Sequence, residues 1–445
     1  MALLGPGVRP KKFLGEGKKS VKMSLDAAGR NARATYAVWE ITLQCNLGCV
    51  HCGSRAAAPR AAELSTAEAL DLVRQLRLAG IREVTLIGGE AYLRPDWLTV
   101  VRAIREAEME CTLTTGGFGI SAAAARAMRE AGLQQVSVSI DGTGPTHDLL
   151  RGKPGSWAAA FASLGYLREA GIPVTCNTQI NRLSAPELPL IYADIVEAGC
   201  RAWQVQLTVP MGRAADRPEI LLQPPELLDL FPLLNELAER ARRDGLWLFP
   251  GNNIGYYGPY ERRLRNTQGG NAIWDGCQAG INTLGIEADG TIKGCPSLPT
   301  AAYSGGNIRE RRLNEILDQA PELAINAGQG TAAAARHLWG FCASCDYGAL
   351  CRGGCSWTAH VFFGRHGNNP YCHHRSLVQA RRGMRERLVP EKPAPGEPFD
   401  HGVFRIIEEP ADRPWPAGDE LRFRADKIQW TRPGCRATQL RVLPA

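Results

Sequence analysis

The strongest constraint on how this chain folds is a repeat: between residues 37 and 243, short apolar runs alternate six times with longer stretches of helical spacing. The pattern predicts strands over Ala37–Leu43, Glu83–Ile87, Glu110–Thr114, Gln135–Ile140, Pro173–Ile180 and Trp203–Val209. Helices are expected over Thr66–Leu78, Trp97–Glu106, Ala122–Glu130, Trp157–Glu169, Glu187–Glu197 and Pro225–Arg243. Gly80, Gly132, Gly171 and Gly199 fall where helices should end, because a residue just past a helix often turns left-handed and glycine does so without strain. Consecutive βα units imply a parallel sheet with right-handed crossovers. Six units fall short of the eight of a closed barrel, so the expected fold class is α/β: an open, partial (βα)6 TIM-type barrel over residues 37–250. Ligands in such sheets bind at the carboxyl ends of the strands.

The loop after the first strand carries Cys45, Cys49 and Cys52, spaced C-x3-C-x2-C. Cysteine thiolates hold iron–sulfur clusters, usually four per cubane, so a loop with three leaves one iron open to a small ligand. Zinc instead favours paired C-x2-C and closed four-coordination. The chain has 14 cysteines, clustered rather than scattered, which argues for metal or redox chemistry in a reducing compartment more than for disulfides. No apolar run approaches the roughly 20 residues that span a bilayer. Lys11, Lys12, Lys18, Lys19 and Lys22 are not followed by a signal-peptide core. A cytoplasmic protein without a membrane partner is expected.

With Gly88-Gly89-Glu90 following the second strand, the cysteine loop resembles that of the radical S-adenosylmethionine (SAM) enzymes. The resemblance implies that the open iron chelates SAM and that a reduced cluster donates the electron that yields a 5′-deoxyadenosyl radical. It further implies that Gly88, Gly89 and Glu90 receive the SAM ammonium, with glycine letting the backbone approach the ligand. Ser139 and Asp141 would hold the ribose, Arg151 in the following loop would reach the SAM carboxylate, and Asn177, Gln206 and Leu207 would line the adenosyl group. His51 stands where relatives pack an aromatic ring near the adenosine. Thr115-Gly116 replaces a more usual Asn-Gly and receives no role.

A second constellation runs through Cys277, Cys295, Cys342, Cys345, Cys351, Cys355 and Cys372, with a hairpin expected around Asp289-Gly290. These spacings resemble the SPASM extension of radical SAM enzymes, an α+β domain with two auxiliary clusters. By that resemblance Cys342, Cys345, Cys351 and Cys372 close one [4Fe–4S] cluster, while Cys277, Cys295 and Cys355 supply three ligands to another. The second then keeps an open iron, takes a noncysteine ligand or recruits Cys435, ranked in that order. The expected cofactors are SAM and three [4Fe–4S] clusters. Ten thiolates and three dipositive cores add about −4 to the formal +7, leaving roughly +3 and no bulk-charge case for nucleic acid. Cys111, Cys176 and Cys200 read as small core hydrophobes, and His373 and His374 as surface residues.

The expected organisation is a basic arm over residues 1–36, the barrel, a linking region over 251–275, the SPASM domain over 276–390, and a linker with a β-rich tail over 391–445. The tail's alternation rests on Leu421/Phe423 and Ile428/Trp430, and its edge could receive an extended peptide. Many enzymes of this kind modify ribosomally made peptides, so the first reading is a peptide maturase. Its partners would be a precursor peptide, with or without a separate recognition protein, and a low-potential flavodoxin or ferredoxin. The runner-up is oxidation or decarboxylation of a small molecule in cofactor biosynthesis, and a noncatalytic iron–sulfur electron carrier is third. No catalytic acid or base is assigned.

Overall fold

Local signals set the first elements. Ser65 caps a helix through a reciprocal capping box with Glu68, which satisfies two backbone donors that would otherwise lack partners. Leu72 and Leu76 on the same face are fully enclosed; burial of a leucine side chain contributes about 1.5–3 kcal/mol. The helix ends before Gly80, whose φ is +89°. A computed structural model describes residues 34–265, 273–327, 335–417 and 423–431.

The chain runs β1 (Tyr36–Glu40), α1 (Thr66–Leu78), β2 (Glu83–Ile87), α2 (Trp97–Glu106), β3 (Glu110–Thr115), α3 (Ala122–Glu130) and β4 (Gln135–Ser139). It continues with α4 (Gly144–Arg151), α5 (Ser156–Glu169), β5 (Val174–Ile180), α6 (Leu188–Glu197), β6 (Ala202–Leu207), α7 (Leu227–Arg243) and β7 (Trp247–Pro250). The six expected units are therefore present. Two features differ from expectation. The segment holding His147 and Arg151 is a helix rather than a loop, closed by Gly152 at φ +61°. A short seventh parallel strand, β7, pairs with β6.

The C-terminal part is joined to the same sheet. β8 (Thr283–Ile286) pairs in parallel with β1, then turns around Asp289-Gly290 into antiparallel β9 (Thr291–Lys293), followed by β10 (Ser304–Asn307). The strand order is β10-β9-β8-β1-β2-β3-β4-β5-β6-β7. Core side chains from Val84, Leu86, Val136 and Val138 pack under the helices, as expected when both faces of a parallel sheet are covered. Cys111, Cys176 and Cys200 lie in that core.

The tail departs from expectation. β11 (Met384–Lys392) and β12 (Val403–Pro410) form an antiparallel hairpin, so the Pro/Gly-rich segment that reads as a linker is the hairpin tip, and the hairpin crosses the expected boundary at residue 390. Phe423, Ile428 and Trp430 belong to a stretch without strand, in which Trp430 lies under the Arg240 guanidinium. Leu421 and Cys435 fall outside the described residues. No described helix is long and apolar enough to cross a membrane.

Candidate active site

The cysteine loop leaves the carboxyl end of β1 and is held by backbone hydrogen bonds to its surroundings. Cys45 N–H donates to Ala57 O (2.9 Å), Gly48 N–H to Arg151 O (3.0 Å) and Val50 N–H to Leu150 O (2.9 Å). Cys45, Cys49 and Cys52 are half-buried. Burial pushes the Cys45 thiol up to about 12 and the Cys49 thiol up to about 11. Such thiols stay protonated unless a cation replaces the proton, and three of them on one ordered loop fit an iron–sulfur cluster.

Gly88 and Gly89 have no room for a side chain. A Cβ at Gly88 would meet Thr42 O at 2.4 Å, and one at Gly89 would meet Gln44 O at 2.3 Å. Gly89 and Glu90 N–H groups donate to those same carbonyls, at 2.8 and 2.7 Å. The close approach is thus to the base of the cysteine loop itself. Glu90 is enclosed and accepts from Thr115 Oγ1 and from Gly116 N–H (2.7 Å), and burial pushes its carboxyl up to about 7. Thr115-Gly116, unassigned from sequence, therefore holds Glu90.

Asp141 and Arg151 pair with each other beside the cluster loop. Asp141 is fully enclosed: Oδ1 accepts from Gln179 N–H (2.8 Å), and Oδ2 pairs with Arg151 (2.6 Å) and His51 Nε2 (2.9 Å). Against the upward push of burial, Arg151 and His51 hold its carboxyl well below the usual range. The Arg151 side chain is 10% exposed, with Nη2 on Asp141 and Nη1 3.7 Å from Cys49 Sγ. It thereby ties the carboxylate of Asp141 to a sulfur of the cluster loop. His147 accepts from Asp141 N–H (3.1 Å) and is lowered to about 3 by burial and by Arg151, so it is neutral. His51 Nδ1 is buried without a partner.

The carboxyl ends of β4 to β6 present a polar ladder. Ser139, Asn177 and Gln204 are in register, and Gln179 faces Gln206 one step further on; all five are half-buried. Ser139, Asn177 and Gln206 thus share a face as expected, while Gln179 and Gln204 were missed, although their every-second-residue spacing signalled them. Leu207 does not join them. Its side chain is in the core, and both its backbone polar atoms bind Asn253.

Of the seven later cysteines, Cys277, Cys351 and Cys355 share one buried cluster with Cys295 and Cys372 packed against it. The Cys351 thiol is raised by burial and then by Cys372, Cys342 and Cys345. Cys355 donates its S–H to Cys277, which lowers the Cys277 thiol, and Cys295 lies beside this pair. The Gly/Asn/Tyr-rich segment after β7 packs against them: Cys355 N–H donates to Tyr256 Oη (3.1 Å), and His373 N–H to Gly255 O (3.0 Å). His373 is buried rather than on the surface, stacked on Phe231 with centroids 4.4 Å apart.

Residues 39–181 match the model of the Radical SAM superfamily. That stretch is a radical SAM domain, a kind of domain that implies SAM and a [4Fe–4S] cluster. Among curated relatives, an AdoMet-dependent heme synthase of Methanosarcina barkeri is 29% identical over 348 residues, covering 76% of this chain and 95% of that protein. A PqqA peptide cyclase of Ruegeria pomeroyi is 29% identical over 328 residues, covering 73% and 83%. Among solved structures, Streptococcus suis SuiB bound to its precursor peptide SuiA shares the fold, with TM-score 0.57 and 16% identity over 75% of this chain and 74% of that one.

Proposed function

We propose that this enzyme abstracts hydrogen from a ribosomally made peptide and carries two auxiliary clusters. Cys45, Cys49 and Cys52 would ligate the SAM-binding cluster, which when bound supplies the electron that breaks the S–C5′ bond of SAM. Glu90, with the ladder of Ser139, Asn177 and Gln206, would orient SAM. His51 Nδ1, buried and unpartnered beside the cluster loop, would meet the adenosine. Cys342, Cys345, Cys351 and Cys372 would hold one auxiliary cluster, and Cys277, Cys295 and Cys355 the other.

The observation that supports this reading is the packing of Cys277, Cys351 and Cys355, with Cys295 and Cys372 against them, around Tyr256 and Trp274 in one buried cluster of the C-terminal part. A peptide substrate is supported by the PqqA peptide cyclase relative and by the fold shared with peptide-bound SuiB. A second reading, oxidative decarboxylation of a tetrapyrrole, is favoured by the heme synthases that the chain matches over nearly their whole length. The test is anaerobic coexpression with the small peptide encoded beside this gene, followed by intact mass, while purified enzyme is assayed with iron coproporphyrin III and SAM. Loss of hydrogens from the peptide supports the first reading. Loss of carbon dioxide from the porphyrin beside an unchanged peptide replaces it with the second.

A further inference from the structure

The tip of the C-terminal hairpin turns Phe399 inward and anchors it beside the cluster loop. Asp400 Oδ1 accepts from Arg55 Nε (2.8 Å), three residues beyond Cys52, and Asp400 O accepts from Gly212 N–H (2.9 Å) on the segment after β6. Asp400 Oδ2 ties the tip to itself by accepting from Glu397 N–H (3.0 Å). His401 bridges to Met211, whose Sδ accepts from Trp357 Nε1 (3.0 Å), two residues beyond Cys355. Between these anchors Phe399, 9% exposed and in the left-handed region at φ +60°, lays its ring 3.9 Å from Lys293 Nζ and 5.7 Å from the Arg60 guanidinium.

Lys293 is fully enclosed and paired with Glu287 (2.6 Å), while Arg60 bridges Glu287 (3.0 Å) and Glu40 (3.2 Å) at the end of β1. Phe399 therefore covers a strip of charge between the cluster loop and the β8–β9 hairpin. A left-handed phenylalanine is costly, and such conformations persist where surrounding contacts over-determine them, frequently at functional sites.

We propose that the hairpin tip is a wall of the reaction chamber: Phe399 closes the side between the cluster loop and the auxiliary domain and sets what can reach the radical, and Asp400 holds it there through Arg55. This rests on the reading of the barrel mouth as the site of SAM cleavage. Phe399 and Asp400 are specificity-determining residues; neither takes part in SAM cleavage.

The test uses reconstituted holoenzyme with SAM, dithionite and perdeuterated glycerol as the probe of access. In wild type, little deuterium should enter 5′-deoxyadenosine. In Phe399→Ala and Asp400→Asn, the deuterated fraction should rise at least threefold, and labelled SAM chased with unlabelled SAM should leave the unreduced enzyme several-fold faster. Leu149→Ala, at an exposed position on α4, serves as the control. Unchanged labelling and release in variants with full iron content would overturn the proposal. If Phe399→Ala fails to load iron, Asp400→Asn alone decides. A wild-type enzyme that makes no 5′-deoxyadenosine overturns the reading of the mouth instead.

Discussion

Replacing Arg151 by glutamine should lower the reduction potential of the SAM-binding cluster. Arg151 Nη1 stands 3.7 Å from Cys49 Sγ, and a unit charge at that distance is worth about 4 kcal/mol at an effective dielectric constant near 20. The Asp141 carboxylate, 2.6 Å from the same guanidinium, cancels much of it, so a net effect of about 2 kcal/mol is expected, or roughly 90 mV for one electron at 59 mV per tenfold. The sign follows because reduction adds negative charge beside a cation that also favours the anionic form of Cys49. Glutamine keeps hydrogen-bond donors but no charge, whereas Arg151→Lys keeps the charge and should recover part of the shift. The assay is an EPR-monitored redox titration without SAM, with the auxiliary clusters as internal references. A potential within about 20 mV of wild type in Arg151→Gln, or equal shifts in both variants, would refute the reasoning.

Further outcomes follow from the same geometry. Substituting Ala for Cys45, Cys49 and Cys52 together should abolish 5′-deoxyadenosine formation and remove about four of some twelve irons, read by iron analysis and product chromatography; retained SAM cleavage would remove the assignment. Cys351→Ala and Cys355→Ala should each disturb a different auxiliary cluster, so their Mössbauer losses should add in the double variant. Glu90, raised to about 7 by burial, binds more protons folded than unfolded between its ordinary pKa and that value. Stability therefore falls as pH rises through that window, and urea titrations without SAM should show a shallower fall in Glu90→Gln. Leu72→Ala in the core beneath α1 should cost about 2–5 kcal/mol, measured by the same titrations.

The βα order was legible because each signal was local: apolar runs of strand length, Ser65 before α1, and glycines such as Gly132 at φ +91° just past a helix. β7 escaped because four residues carry too little pattern to separate a strand from a loop. The hairpin β11–β12 escaped because its Pro/Gly-rich tip has the composition of a linker. What distinguishes tip from linker is Asp400 reaching Arg55, 345 residues away, a contact without local trace.

The buried site residues share one constraint. A motif fixes where on a strand end a side chain stands but not which neighbour claims it first. Asp141 stands at the mouth as expected, yet a carboxylate removed from water is stable only if paired and hydrogen-bonded, and His51, Arg151 and the Gln179 N–H meet that demand before any ligand arrives. Glu90 is likewise engaged by Thr115 and Gly116. The ladder of Ser139, Asn177 and Gln206 is partly exposed and carries no such prior claim. The same logic separates Met211 from its surroundings: packed against Gly53 of the cluster loop, bridged to His401 and bonded to Trp357, it joins the cysteine loop, the auxiliary domain and the hairpin tip. Met211→Ala should therefore cost about 2–5 kcal/mol of stability, read by the same urea titrations; an unchanged midpoint would show that this thioether does not hold the three together.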